Sequence, residues 1–188
     1  MGYIETLLIT NKIQNLKYHN NRMNLTRKYF YNLPPINLSN FVEIQPNKRV
    51  RVLYDKEILK VEYFDLVKRE FKKLKIVEDN NIEYSFKSEN REQLNSLKVN
   101  GYDEVIIVKN KFITDTTISN LAFFNGKEWH TPKNPLLKGT KRAELLEKKF
   151  LIEKEIKIDN LMNYKKVAML NSIIGFYEVG DIEKCIIL

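Results

Sequence analysis

The sequence predicts a mixed α/β fold of the α+β kind, built in two unequal parts, an N-terminal domain over residues 1–78 and a larger one over 79–188. Three observations support this. Runs rich in β-branched and aromatic residues recur along the whole chain, bounded by Asn, Gly and Pro turn signals. Segments with helical spacing stand between them. A break falls near residues 75–81, with no Gly/Ser-rich linker to hold two independent modules apart.

Taken in order, Tyr3 to Thr10 reads as a strand, and Asn11-Lys12 as a hairpin turn into Ile13 to Leu16. Tyr18, Arg22, Leu25 and Tyr29 recur at helical spacing, so Tyr18 to Tyr31 reads as a helix stopped by Pro34-Pro35. Lys48 to Tyr54 reads as a strand with Val50 and Val52 inward, and Ile58 to Phe64 as its partner. Asp65 to Leu74 is equally compatible with helix and strand. Ile82 to Lys87 alternates, placing Ile82, Tyr84 and Phe86 on one face and Glu83, Ser85 and Lys87 on the other. Residues 91–98 read as a short helix ended by Gly101, and Glu104 to Val108 as a buried strand turned by Lys109-Asn110. Phe112 to Phe124 leads to Asn125-Gly126, a type I′ hairpin signal. Thr131 to Pro135 reads as loop, and Lys141 to Phe150 as a helix opened by Gly139-Thr140. Ile152 to Ile158 and Val167 to Leu170 read as strands.

Composition narrows the function. At 188 residues, with 43% hydrophobic and 30% charged residues, the chain has globular values and can bury a real core. The single cysteine, Cys185, excludes an internal disulfide and a Cys-based zinc site, and two histidines are too few for a His-rich metal cluster. No leader-like or 18-residue apolar stretch is present, which points to the cytoplasm and away from the membrane. The net charge of +8 invites a nucleic-acid reading, but the lysines are spread through the chain and interleaved with acids, as between Lys141 and Lys157. A solvated basic surface without nucleic acid fits better.

Five segments carry chemistry. Glu5-Thr6 is followed by His19 and Arg22, whose guanidinium, read by itself, lies exposed on the helix. Lys87 ends an alternating run before Ser88-Glu89-Asn90-Arg91, where an amine can project into a cleft. Thr114-Asp115-Thr116-Thr117-Ile118-Ser119-Asn120-Leu121 holds an acid among hydroxyl residues. Gly139-Thr140 opens a helix, which aims free N–H groups and the positive dipole end at an anion. Asn171-Ser172-Ile173-Ile174-Gly175 follows the last long apolar strand.

In this order the segments resemble the class IV (fold-type-IV) pyridoxal-phosphate enzymes over nearly the whole chain. The resemblance implies a small N-terminal α/β domain and a larger barrel-like C-terminal domain with the cofactor, pyridoxal 5'-phosphate, between them, and a homodimer acting on a small amino substrate. It implies that Lys87 carries the cofactor covalently and that Arg22, Gly139, Thr140 and Ser172 hold its phosphate. It further implies that Asp115 pairs with the pyridine nitrogen, with Ser119 and Asn120 beside it. The family has Glu where this chain has Asp115, a side chain shorter by about 1.5 Å. Lys87-Ser88-Glu89-Asn90-Arg91 is similar to the Lys-x-x-Asn-Arg motif of the aminodeoxychorismate lyases. That makes a 4-amino-4-deoxychorismate lyase the first expectation, a class IV aminotransferase the second, and a non-catalytic binding relative the third. The stretch from Tyr31 to Asn81 is short for the family, and there Arg51 is either a contact for a substrate carboxylate or a solvent-facing strand arginine.

Overall fold

The computed structural model describes residues 2–187, which fall into two compact units. One runs to Lys68 and takes in Phe86–Asn90; the other holds Arg69–Ser85 and the chain from Arg91 onward.

The first unit is a three-stranded antiparallel sheet in the order β1-β2-β3, with one long helix. Strand β1 (Tyr3–Ile9) leads into helix α1 (Leu16–Tyr31), then β2 (Lys48–Tyr54) and β3 (Ile58–Asp65). Tyr3 faces Tyr54 and Ile9 faces Lys48 across the β1–β2 ladder. The alternation read from Val50 and Val52 holds, and both are fully buried with Tyr54, Leu7 and Ile9. Helix α1 closes this core with Met23. Its buried face is His19, Met23, Thr26 and Arg27, so Leu25 and Tyr29 of the apolar spacing face solvent. Polar residues give the helix its tertiary hold. Asn24 exchanges two hydrogen bonds with the backbone of Ile36, Asn20 accepts from Leu38 N–H, and the Arg27 guanidinium donates to the carbonyls of Pro34 and Lys56. These bonds satisfy the Pro-rich strap that a helix cannot continue into.

The second unit contains two sheets. Strand β4 (Leu74–Glu78) runs parallel to β5 (Glu104–Lys109), with helix α2 (Glu92–Ser96) between them in sequence, and β6 (Phe112–Ile113) returns antiparallel. Strands β7 (Asn120–Phe124) and β8 (Trp129–Pro132) form a hairpin; helix α3 (Thr140–Glu147) crosses to β9 (Leu151–Lys154), parallel to β8. Strands β10 (Lys166–Asn171) and β11 (Gly175–Asp181) complete a sheet of order β11-β10-β7-β8-β9. Helix α4 (Ile182–Cys185) and β12 (Ile186–Ile187) give the other sheet the order β12-β4-β5-β6. The two sheets share one core, in which Leu74, Ile106, Val108 and Ile113 meet Leu121, Phe123, Val167 and Met169. The facing pair Ala122 and Ala168 leaves room for α3, whose Leu145 packs on them with Leu151 and Leu170. Burying a leucine of this kind contributes about 2 kcal/mol.

Several local expectations change. Residues 82–87 are not a strand, because their apolar side chains serve two different clusters: Ile82 and Tyr84 pack with Leu94 and Val105, whereas Phe86 packs with the core of the first unit. Asn11-Lys12 leads only to an isolated bridge between Ile9 and Ile13. The Asn125-Gly126 turn is a four-residue loop, since Phe124 pairs with Trp129 and the Asn125 carboxamide oxygen accepts from both Lys127 N–H and Glu128 N–H. Thr131 and Pro132 belong to β8, β9 stops at Lys154, and a 3₁₀ stretch covers Ile158–Asn163. Residues 66–73 take neither helix nor strand, and Gly101 lies in a turn five residues beyond the end of α2. Among the described residues no helix is long and apolar enough to cross a membrane.

Candidate active site

In the first unit the polar centre is Glu5. Strand alternation puts it on the same face as Tyr3, Leu7 and Ile9, so a carboxylate lies fully buried inside the core. Arg22, on α1, meets it with two parallel bonds, Nε to Oε1 at 2.8 Å and Nη2 to Oε2 at 2.5 Å. His19, one turn earlier on the same face, shares Oε2 at 2.6 Å. Burial alone would push the Glu5 carboxyl up, but the Arg22 charge and bonds and the His19 bond outweigh it and hold it at about 2. Burial pushes His19 down against the pull of Glu5, which keeps the ring neutral and makes Nδ1–H the donor.

The sign of the resulting pH dependence follows from the direction of the Glu5 shift. A carboxyl at about 2 in the fold and near its ordinary 4.5 when unfolded contributes stability that is present above pH 4.5 and lost as pH falls toward 2. Glu5→Gln should therefore cost about 3 kcal/mol at pH 7, shrinking toward zero near pH 2. Thermal melts of both proteins across that range check this, and equal melting temperatures at pH 7 would show that the buried pair contributes nothing net.

Lys87 is tied to the same strand. Its carbonyl accepts Ile4 N–H at 2.9 Å, Ser88 bridges Tyr3, and Glu89 N–H donates to Gly2 O. The charges of both Arg22 and Lys87 are felt at His19. Asn90 N–H donates to the Ser88 hydroxyl at 3.1 Å, which gives the motif after Lys87 a local turn. Arg51 donates to Glu62 at 2.9 Å and to Glu89 at 2.8 Å. Two carboxylates thus share this guanidinium, and the bond to Glu89 steadies the Lys87 turn.

In the second unit Asp115 is 4% exposed, and both carboxylate oxygens are occupied. Oδ2 accepts Leu137 N–H at 2.9 Å; Oδ1 accepts the Asn120 amide at 2.7 Å. The same Asn120 nitrogen donates to Leu137 O at 2.7 Å. Desolvation pushes the Asp115 carboxyl up to about 7, against those bonds and the Arg142 charge. Two residues beyond Leu137 comes Gly139, the N-cap of α3, in ordinary extended backbone at φ −72 and ψ 148. Here glycine is required by space and not by torsion, because a Cβ would overlap the Asn120 amide oxygen. Ser119 bonds to Thr116, at 2.9 Å between the hydroxyls, within the same bend. The Asn171 amide donates to Ile118 O, bringing the start of the Asn171-Ser172 turn to that bend. Asp115, Ser119, Asn120, Gly139 and Thr140 thus lie on adjoining segments, and Asn171, the residue before Ser172, bonds to the same bend.

Two residues carry more of this architecture than their sequence neighbourhood signalled. Glu5 stands on an otherwise apolar strand face, and that alternation was the available signal. Arg91, the last residue of the Lys87 motif, donates to Thr117 O at 2.6 Å and to the Tyr84 hydroxyl at 3.2 Å. Thr117 in turn donates to the buried Glu104 at 2.6 Å. Among the described residues no group of three His, Cys, Asp or Glu is arranged to hold a metal ion.

The sequence model of the amino-transferase class IV family matches residues 89–182. An uncharacterized protein of Haemophilus influenzae is 34% identical over 182 residues, covering 91% of this chain and 97% of its own. The chain belongs to the class IV amino-transferase family. It is an enzyme by that membership, in a family of pyridoxal-phosphate-dependent lyases and aminotransferases. A solved structure from Haemophilus somnus, provisionally named a 4-amino-4-deoxychorismate lyase, is 30% identical, covers 93% of this chain and 97% of its own, and superposes with a TM-score of 0.87. A hypothetical aminotransferase from Mycobacterium tuberculosis, solved in a PLP-bound form, shares the fold at a TM-score of 0.76 with 14% identity, over 95% of this chain and 80% of its own.

Proposed function

We propose that this chain is a pyridoxal-phosphate-dependent 4-amino-4-deoxychorismate lyase, releasing pyruvate and leaving 4-aminobenzoate. The observation that carries the reading is its full-length likeness, at 30% identity, to the Haemophilus somnus protein bearing that name. The Lys87-Ser88-Glu89-Asn90-Arg91 run supports it.

The residues present fit the cofactor chemically. Within the second unit the turn at Gly139-Thr140 offers helix N-terminal amides, and Thr140 and Ser172 add hydroxyls, a donor set suited to a phosphate; in the first unit Arg22, fixed by Glu5, is a cation of the kind that binds such a group. Asp115, desolvated and held near 7, is an acid that ionises readily beside a protonated pyridine nitrogen. Bound pyridoxal phosphate supplies an electron-withdrawing ring that takes up the electron pair left when the substrate Cα–H bond breaks. In this reading Asp115 keeps the ring nitrogen protonated, with Ser119 and Asn120 supporting it. Lys87 would be the residue that holds the cofactor, and its amine would be the base for the α-proton.

Elimination from the substrate needs no amino-group acceptor, whereas transamination does. The purified protein with pyridoxal phosphate should therefore release pyruvate from 4-amino-4-deoxychorismate in the absence of any 2-oxo acid, measured by coupled lactate dehydrogenase. Turnover that appears only with a 2-oxo acid would assign the aminotransferase chemistry of the same family instead.

A further inference from the structure

The bond pattern around Leu137 carries an inference about how the second unit builds its anion turn. Leu137 N–H goes to Asp115 Oδ2 and Leu137 O receives the Asn120 amide, so both backbone groups of one loop residue are held by two side chains. Those side chains are bonded to each other at 2.7 Å. Asp115 and Asn120 also form an isolated backbone bridge, and Asp115 O accepts Ile107 N–H at 2.8 Å, which roots the pair in β5. Gly139 follows within two residues, and the three atoms nearest to a Cβ placed there are all from the Asn120 carboxamide. Asn120 is 4% exposed, with its amide committed to two acceptors, so its carboxamide cannot rotate away from that glycine without breaking buried bonds.

We propose that Asp115 and Asn120 form a latch on Leu137 that sets the Gly139-Thr140 helix start, so that the acid and the phosphate turn are built as one rigid piece and Asn120 is a positioning residue for phosphate. The proposal rests on the reading above, in which the cofactor phosphate sits at that turn. It departs from a role in which Asn120 touches the cofactor, because the amide is already committed to Asp115 and Leu137. It also accounts for the shorter acid in this chain: the aspartate carboxylate is placed to meet the Leu137 amide.

The test compares pyridoxal 5'-phosphate with pyridoxal, which lacks the phosphate, by absorbance titration of wild-type and Asn120→Ala proteins. A latch predicts that Asn120→Ala weakens the phosphorylated form by about tenfold more than it weakens pyridoxal, which keeps only the ring contacts. An equal loss for both ligands, or no loss for either, would overturn it. Asn120→Leu, which fills a similar volume with no donor and no charge, should act the same way and covers the case in which the alanine protein does not fold.

A second readout needs no cofactor. Exchange of the Leu137 amide should be slow in wild type and faster in either variant, and fast exchange in wild type would overturn the latch. Gly139→Ala should lower the melting temperature of wild type and have little effect in the Asn120→Ala background, where the carboxamide it would strike is gone. Additive effects of the two substitutions would contradict the geometry. Failure of wild type to bind pyridoxal phosphate at all would overturn the cofactor reading, and the exchange and melting results would still decide the latch.

Discussion

Lys87→Ala is expected to abolish turnover, with a loss on the order of 10⁴-fold or more, while the protein stays folded. The first half follows from the role proposed for the amine, which no neighbouring residue type replaces. The second half follows from the way the residue is held. Lys87 is anchored through its backbone, by Ile4 N–H to its carbonyl and by the Ser88–Tyr3 bridge beside it, and alanine leaves those bonds intact. Borohydride reduction of the cofactor-loaded wild type, followed by peptide mapping, should place the label on Lys87, and the variant should carry none. A label on a different lysine would end this assignment.

Asp115→Ala is expected to lower turnover by about 10²- to 10³-fold, the scale on which a preorganised charge facing a developing charge contributes. Wild-type activity in that variant would show that the acid does not serve the ring. The family resemblance implies that Asp115→Glu should hold or raise the rate, because glutamate is the family's usual acid. The structure gives the opposite expectation. Asp115 is buried with both oxygens engaged, so a further methylene must either overpack the site or draw the carboxylate off Leu137 and Asn120.

Stability without cofactor supplies an independent check on the same residue. Its carboxyl lies at about 7 in the fold against an ordinary 3.8, so the protonated form is the one the fold favours. That contribution is complete below pH 3.8 and is lost as pH rises through 7, the reverse of the Glu5 case. Asp115→Asn should flatten this part of the melting profile between pH 4 and 7.

The family was legible in the order of the motifs, and particular residues show why their partners were not. Lys87 was singled out by an alternating run that does not form a strand. The alternation is real as burial, with Ile82 and Tyr84 inside and Glu83 and Ser85 outside, but Phe86 turns to a different cluster. Arg51 lies on the strand read for it, but Glu62 and Glu89 share its guanidinium, and Glu89 is distant in sequence. Asn120 stood in a recognisable segment, but its work depends on a backbone amide and carbonyl at Leu137, which no side-chain pattern encodes.

The amino-acid sequence by itself determined the mixed α/β class, the limits of β2 and most of α1. These depend on period, turn residues and side-chain type, all of which are local. Only the tertiary structure decided the partners: that Glu5 is buried between Arg22 and His19, that Asp115 and Asn120 grip Leu137, and that Gly139 is glycine for want of room. Burial and hydrogen-bond partners are set by segments brought together from far apart in the chain. The charge state of a buried acid follows those partners, which is why two carboxyls with nearly the same intrinsic acidity end near 2 and near 7 in one fold.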